Sequence, residues 1–569
     1  MINKDLFYIK EQVFFYADID WRNIKEIISK IGIFYGRSMC NRIFDYELHD
    51  FFIFCYANKK ISCGDNISET YIVKGHFMGN KKSKKIENDK LHRSLKSRHM
   101  SMIAIGASIG TGLFLTSGST FSSAGPGGAV AAFIVMGVLV YFIIASLGEM
   151  STLLPVAGSF ETFASRFVDP AFGFAVGWNY WFSWAITLAV EISAATIIIQ
   201  YWLPDTNVEI WAAGFLIFLF LLNYAPAKIF GESEYWFAGI KVVTVIIFLI
   251  IGVLMIAGIL GGTSPGISNW VLEDGNGNKA PFIGGFGMML AAFLSAGFSF
   301  SGVEMVALAA GEAEDPKKTV PRAVKNVFSR IMIFYLGTII VIGFLIPFTN
   351  PNLLGSNDND VTMSPFTMIF ERAGIAGAAS IMNAIILTSV LSCGASSLYG
   401  SSRMLYSMAK ENKAPKIFAK TNKKGVPTNA VIVTALIASS VFLSSIVGTG
   451  RIYFALYNIS AITAFIIWLG IAIAHYRFRK AYVIQGRDLN DLPYKAKLFP
   501  FGPIVATILS IVIIFGANYT FLLPENFNWF DVITSYGTIP IFIGIYLWYK
   551  IKHKTKIIPL KDCDFDVEH

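Results

Sequence analysis

Charge is scarce in this chain: Asp, Glu, Lys and Arg make up 15% of its 569 residues, against roughly 25% in a soluble domain. Together with 54% hydrophobic residues and a mean hydropathy of +0.55, that shortage excludes a soluble enzyme. Cysteine is sparse too. Cys40, Cys55, Cys63, Cys393 and Cys563 show no paired spacing and no neighbouring histidine cluster, which argues against a disulfide framework and a metal site. Cys393 reads as a small helix-packing residue, and nothing calls for a cofactor or for covalent chemistry. The net charge of +9 would suggest nucleic acid in a soluble protein. Here the basic residues fall in short segments between apolar runs, so they report topology and not a nucleic-acid partner.

What is abundant is apolar sequence. Beyond residue 99 the runs recur almost without interruption and have helical, not alternating, patterning, so an all-α membrane protein embedded in the lipid bilayer is expected. Twelve spans are expected, near 101 to 122, 128 to 150, 172 to 202, 210 to 226, 235 to 260, 284 to 311, 328 to 348, 374 to 402, 428 to 447, 452 to 475, 502 to 523 and 530 to 549. Basic residues are retained on the cytoplasmic side, and the connecting segments alternate accordingly. Eight precede the first span between Lys81 and Arg98, seven lie between Arg403 and Lys424, six between Arg477 and Lys497, and five between Lys550 and Lys561. By contrast, Tyr201 to Glu209 and Phe521 to Asp531 carry none, and Gly262 to Phe282 carries only Lys279. Both termini are therefore expected inside, with Trp202, Trp270 and Trp529 as outer interfacial anchors.

Residues 1 to 77 do not fit this plan. Their longest apolar run, Phe51 to Tyr56, is too short to cross a bilayer, and they lack the ordered parts of a secretory signal. They are expected to be a disordered leader or an upstream extension, with translation starting at Met78. A basic cytoplasmic segment (78–99), a membrane domain (100–550) and a cytoplasmic tail (551–569) follow. The Met78-Gly-Asn-Lys-Lys-Ser83 match to a myristoylation pattern adds little to a chain with this many spans.

Two of the apolar runs are interrupted. Gly106-Ala-Ser-Ile-Gly-Thr-Gly112 and Gly297-Phe-Ser-Phe-Ser-Gly302 place glycines and hydroxyls mid-span, in the first and sixth runs, which are corresponding positions of two five-run halves. Glycine costs about 1 kcal/mol of helix stability relative to alanine, so a compensating role is expected. Broken helices at corresponding positions mark transporters built from inverted repeats, where freed backbone groups line a midplane cavity. Ionisable residues inside the spans are functional candidates, because each costs at least about 2.5–3.5 kcal/mol to insert. They are Glu191 (span three), Lys241 (span five), Glu304 (two residues beyond Gly302) and Glu312 (the cytoplasmic end of span six). Glu191 either receives a cationic group or pairs with a polar neighbour. Lys241 either faces a cavity, where a buried amine exchanges protons readily, or snorkels from the helix start. Glu149 and Arg403 lie nearer the ends of their spans and read as snorkelling residues.

The stretch from Arg98 to Tyr549 resembles the amino acid-polyamine-organocation superfamily of permeases. The resemblance rests on Ile103-Ala-Ile-Gly-Ala-Ser-Ile-Gly-Thr-Gly-Leu-Phe114, Gly125-Pro-Gly-Gly128, Phe298-Ser-Phe-Ser-Gly-Val-Glu304, Gly311-Glu-Ala-Glu-Asp-Pro316 and Pro321-Arg-Ala. Within it, Gly177-Trp-Asn-Tyr-Trp181, Gly231-Glu-Ser-Glu-Tyr-Trp236, His475-Tyr-Arg-Phe-Arg-Lys480 and Asp488-Leu-Asn-Asp-Leu-Pro-Tyr494 are most similar to bacterial lysine permeases. The resemblance implies two inverted five-helix repeats plus two extra helices, with helices 1 and 6 broken around the substrate. It also implies that amides near Thr111 and Gly112 hold the α-carboxylate, and that carbonyls of Ser108, Phe298 and Ser301 take the α-ammonium. Ile109, Gly110 and Ser299 fall within these same binding segments. Phe298 matches a gating aromatic, and Lys241 matches a lysine that replaces sodium in proton-coupled relatives. The chain departs from the family at Ala395, where relatives usually have Asn, and relatives of lysine type often carry Asp in place of Glu191.

The function this implies is uptake of L-lysine with protons through the bacterial inner membrane, with Lys241, Glu304 and Glu312 in proton coupling. Competing readings are transport of arginine, histidine or a neutral amino acid, exchange of a basic amino acid for its amine, or a lysine sensor acting through a membrane partner.

Overall fold

The computed structural model describes residues 102–103, 106–156, 158–275, 277–309, 316–353, 364–374 and 377–566, all within the unit Lys81–His569. The leader, the basic segment before residue 100 and Glu312 lie outside the described residues.

Punctuation by Pro, Gly and small polar residues divides the apolar sequence into helices. A π-helical turn, Gly112–Thr116, leads into α1 (Ser117–Leu153), followed by a short α2 (Phe160–Phe167) and by α3 (Pro170–Ile199). Then come α4 (Val208–Asn223), α5 (Ala227–Ile256), α6 (Gly285–Phe300), α7 (Met305–Ala309) and α8 (Pro316–Leu345). After the short α9 (Pro365–Arg372), α10 (Ala378–Lys410), α11 (Thr428–Ala438), α12 (Ser444–Val447) and α13 (Thr449–Ile484) follow. The last are α14 (Phe501–Gly516), α15 (Trp529–Tyr536) and α16 (Thr538–His553). Asp169 starts α3 by accepting from the Ala171 amide at 2.9 Å, with Pro170 in the first helical position. Asn207 does the same for α4, accepting from Glu209 and Ile210. In each case a side-chain oxygen satisfies amides that have no intrahelical acceptor.

Gly112–Leu153 is a 42-residue helical stretch. At 1.5 Å per residue that is about 63 Å, roughly twice the hydrocarbon thickness of a bilayer, so one straight crossing is ruled out. The chain turns at Gly125 (φ 75°, ψ 173°), a conformation open to glycine but costly to other residues. Pro126 then opens the second segment, and the Pro281 carbonyl accepts from the freed amides of Gly127 (2.8 Å) and Gly128 (3.3 Å). Among the described residues, six helices are long and apolar enough to cross a membrane, and α15 and α16, bent by 46°, form a seventh if counted together. α4, α6, α14 and residues 332–345 of α8 are shorter apolar helices. No strand occurs among the described residues.

Burial separates centre from periphery. α3 packs against α10 and α13 at the core, and 89% of its most apolar stretch is buried, whereas α5 and the stretch Thr428–Val447, which holds α11 and α12, reach only 33%. The outer face of α5 shows Ile240, Val243, Ile247, Ile250 and Val253 to the surroundings. A contiguous apolar surface of that size fits lipid contact.

Several elements differ from the sequence expectation. α5 starts eight residues before the expected 235 and α8 twelve before 328, because both helices continue past the apolar run into polar sequence. α2 and α9 were not anticipated. The tail does not hang free after α16: the Ile558 amide donates to Val168 O at 2.9 Å, Arg166 pairs with Asp564 at 3.1 Å, and Phe565 packs on Phe167 and Phe478. Glu149 and Arg403 are buried and do not snorkel. The Glu149 carboxylate takes both a bidentate contact from the Arg479 guanidinium and the Ala496 amide, so its charge is matched internally.

Candidate functional site

Both interrupted runs are broken in the structure. Helical residues 106–108 give way to non-helical Ile109 and Gly110 before the π-helical turn begins. α6 ends at Phe300, Ser301 is extended (ψ 144°), Gly302 has φ +102°, and helix resumes at Met305. The two breaks are pressed together. A Cβ on Gly112 would lie 2.4 Å from the Cα of Ser299, and one on Gly302 would lie 2.7 Å from both the carbonyl carbon and the oxygen of Ala107. Glycine at both positions is what allows two backbones to approach this closely.

Polar groups meet at the crossing. The Thr111 hydroxyl donates to Glu191 Oε1 at 3.0 Å, which sets a carboxylate against the amide end of a helix, where partial positive charge favours it. Glu304 Oε2 accepts from the Gly302 amide at 3.2 Å and from Trp468 Nε1 at 3.4 Å. The second oxygens of Glu191 and Glu304 are buried without a hydrogen-bond partner. Lys241 is completely buried, which removes the snorkelling alternative, and its ammonium donates to the Gly106 carbonyl at 2.5 Å.

Three participants were missed in the sequence. The Tyr335 hydroxyl on α8 lies 2.7 Å from the carbonyls of both Ser108 and Ser299, bridging the two breaks. Cys393, read as packing, places its Sγ 3.1 Å from the Ala107 carbonyl. Glu234 is fully buried beside the first break and accepts from Ser392 Oγ at 2.6 Å.

A small cavity lies between the breaks. Ser108, Gly110, Gly112, Phe298 and Ser301 line it with Glu191, Trp184, Thr187, Ala107 and Cys393. Ile109 and Thr111 are buried beside it, Ser299 faces Gly112 and Tyr335, and Glu304 contacts the far side of the second break. At about 10 Å³ the cavity has room for about one water. An amino acid therefore needs the walls to part. Phe298, one of those walls, is buried and sets its ring against the edge of Tyr457 at 4.7 Å. The chemistry on offer is recognition and not reaction: carbonyls, helix-end amides and carboxylates.

The match to known proteins agrees with that chemistry. A family model described as amino acid permease matches residues 99–560. The chain belongs to the amino acid permease family. This permease is 50% identical over 484 residues to the lysine-specific permease LysP of Escherichia coli (strain K12), covering 85% of this chain and 98% of that protein. It is 50% identical over 475 residues to the lysine-specific permease LysP of Lactococcus lactis subsp. cremoris, covering 83% and 92%. It is 48% identical over 481 residues to the histidine permease HisP of the same organism, covering 84% and 99%. The permease is thus a multi-pass membrane transporter of the amino acid-polyamine-organocation superfamily and not an enzyme.

Proposed function

We propose that this permease imports L-lysine with protons across a bacterial plasma membrane by alternating access. In this reading it has twelve spans, both termini are cytoplasmic, and two inverted five-helix repeats rock around a fixed midplane site. The observation that carries it is the pair of apposed breaks around a cavity lined by a carboxylate, Glu191, in a chain 50% identical to lysine-specific permeases over 484 and 475 residues. The amides at Thr111 and Gly112 receive the α-carboxylate, and the carbonyls of Ser108, Phe298 and Ser301 receive the α-ammonium. The free oxygens of Glu191 and Glu304 are available to the side-chain ammonium. Lys241, Glu304 and Glu312 carry the proton coupling, with Lys241 occupying the position of a coupling cation.

A second reading, histidine as substrate, is favoured by the 48% identity to a histidine permease. Competition separates the two. In proteoliposomes, unlabelled lysine is expected to block labelled lysine uptake far better than histidine, arginine or any neutral amino acid. Equal or better block by histidine would assign the site to histidine instead.

A further inference from the structure

Glu234 has no part in the reading above. It lies on α5 seven residues before Lys241, about two turns and roughly 10 Å along the same face of the helix. Both side chains are completely buried, and both meet the same residue. Lys241 Nζ donates to the carbonyl of Gly106, while the Glu234 carboxylate fills the space where a Gly106 side chain would be, its Oε1 1.8 Å from an ideal Cβ position. Oε1 accepts from Ser392, and Oε2 is buried without a partner.

Among the side chains described, little other charge lies around the pair. Cys393 on α10 and Glu191 on α3 face Lys241, and Ser392 and Ser396 on α10 face Glu234. Tyr399 on α10 stacks on Phe230 at 4.4 Å, one turn before Glu234, and Tyr335 on α8 is engaged with the two breaks. α4 and α9 also pack on α5, and their charges, Glu209, Glu371 and Arg372, sit at helix ends. A buried carboxylate with a single hydrogen bond needs a nearby positive charge or a proton. Lys241 is the cation that shares its neighbour.

We propose that Glu234 and Lys241 form an electrostatically coupled pair across Gly106, in which the carboxylate sets how firmly Lys241 holds the transported proton. When the ammonium gives its proton to a water molecule that enters the opened site, an N–H bond breaks and an O–H bond forms, which leaves a neutral amine and a hydronium ion while the carboxylate favours the proton's return. A neutral amine is a weaker donor than an ammonium, so the same step loosens the hold of Lys241 on the residue leading into the first break. Glu234 is thus a positioning residue for the coupling proton, and this role rests on the proton-coupled reading above.

The test is the pH profile of initial lysine uptake in proteoliposomes for wild type, Glu234→Gln, Glu234→Asp and Ser392→Ala. Removing the buried anion makes the ammonium harder to keep charged. Glu234→Gln is therefore expected to move the midpoint to lower pH by about 1 unit or more, a tenfold change in proton concentration. Ser392→Ala weakens support for the carboxylate and is expected to move it the same way by less, while Glu234→Asp keeps the charge and the wild-type midpoint at a lower rate. Unmoved midpoints in Glu234→Gln and Ser392→Ala, or an equal shift in Glu234→Asp, overturn the pair whatever happens to the rates. Should Glu234→Gln not reach the membrane, Ser392→Ala decides by itself. Wild-type uptake that ignores the proton gradient would instead refute the proton-coupled reading, so the two failures are distinct.

Discussion

Gly302→Ala isolates the contact between the two breaks. The added methyl meets an L-residue at φ +102°, a backbone state that costs roughly 1–2 kcal/mol without glycine. It also meets backbone, not a flexible side chain: the Ala107 carbonyl group at 2.7 Å. Restoring ordinary contact requires the breaks to separate by roughly 0.7 Å, and such overpacking typically costs about 1–3 kcal/mol. Together the penalty is about 2–5 kcal/mol, concentrated where the cavity is formed. Gly214→Ala on α4 is the matched control, because a Cβ there meets nothing within 4 Å and alanine is the better helix former. Initial lysine uptake, normalised to the amount of inserted protein, should fall at least tenfold in Gly302→Ala and stay near wild type in Gly214→Ala. Uptake by Gly302→Ala within twofold of wild type would show that close apposition of the breaks is not needed for transport.

Other substitutions follow from the same geometry. Tyr335→Phe removes the hydroxyl that bridges Ser108 and Ser299 and should cost about 1–3 kcal/mol of stability, seen as earlier thermal unfolding in detergent; unchanged unfolding would count against the bridge. Arg479→Ala leaves the buried Glu149 carboxylate with the Ala496 amide and His475 at 3.4 Å but without its guanidinium, a loss of up to about 3–5 kcal/mol expected to reduce folded yield, with recovery on adding Glu149→Gln. Burial opposes the charge on Lys413, but Glu161 at 2.6 Å and Glu411 at 2.5 Å outweigh it and hold the proton above the usual lysine range. Its contribution is therefore complete below the ordinary lysine pKa of about 10.5 and is lost as pH rises through the higher folded value. Lys413→Met should remove this alkaline loss from the pH dependence of unfolding, and an unaltered alkaline limb would contradict the assignment.

What the sequence made legible was whatever violates the logic of an apolar span. Glycine and serine inside long hydrophobic runs announced both breaks, and a lone lysine among Val, Ile and Phe announced Lys241, because each is costly in a continuous membrane helix. Glu234 escaped for a boundary reason. It sits beside Glu232, Ser233 and Tyr235 in what reads as interfacial sequence, one residue outside the expected span, and only the earlier start of α5 carries it inside. Tyr335 carried no signal at all, since an aromatic residue in a span is ordinarily packing and its two acceptors are backbone atoms far away in the chain. The Glu149–Arg479 pair joins residues 330 apart, a distance that no local pattern reports.

The most direct measurement is uptake of radiolabelled L-lysine into proteoliposomes under an imposed inward proton gradient, with sodium present or absent. The account predicts accumulation above equilibrium in both conditions, abolished by a protonophore and by replacement of Lys241 with alanine. Accumulation that requires sodium, or lysine entry that ignores the proton gradient, would contradict it.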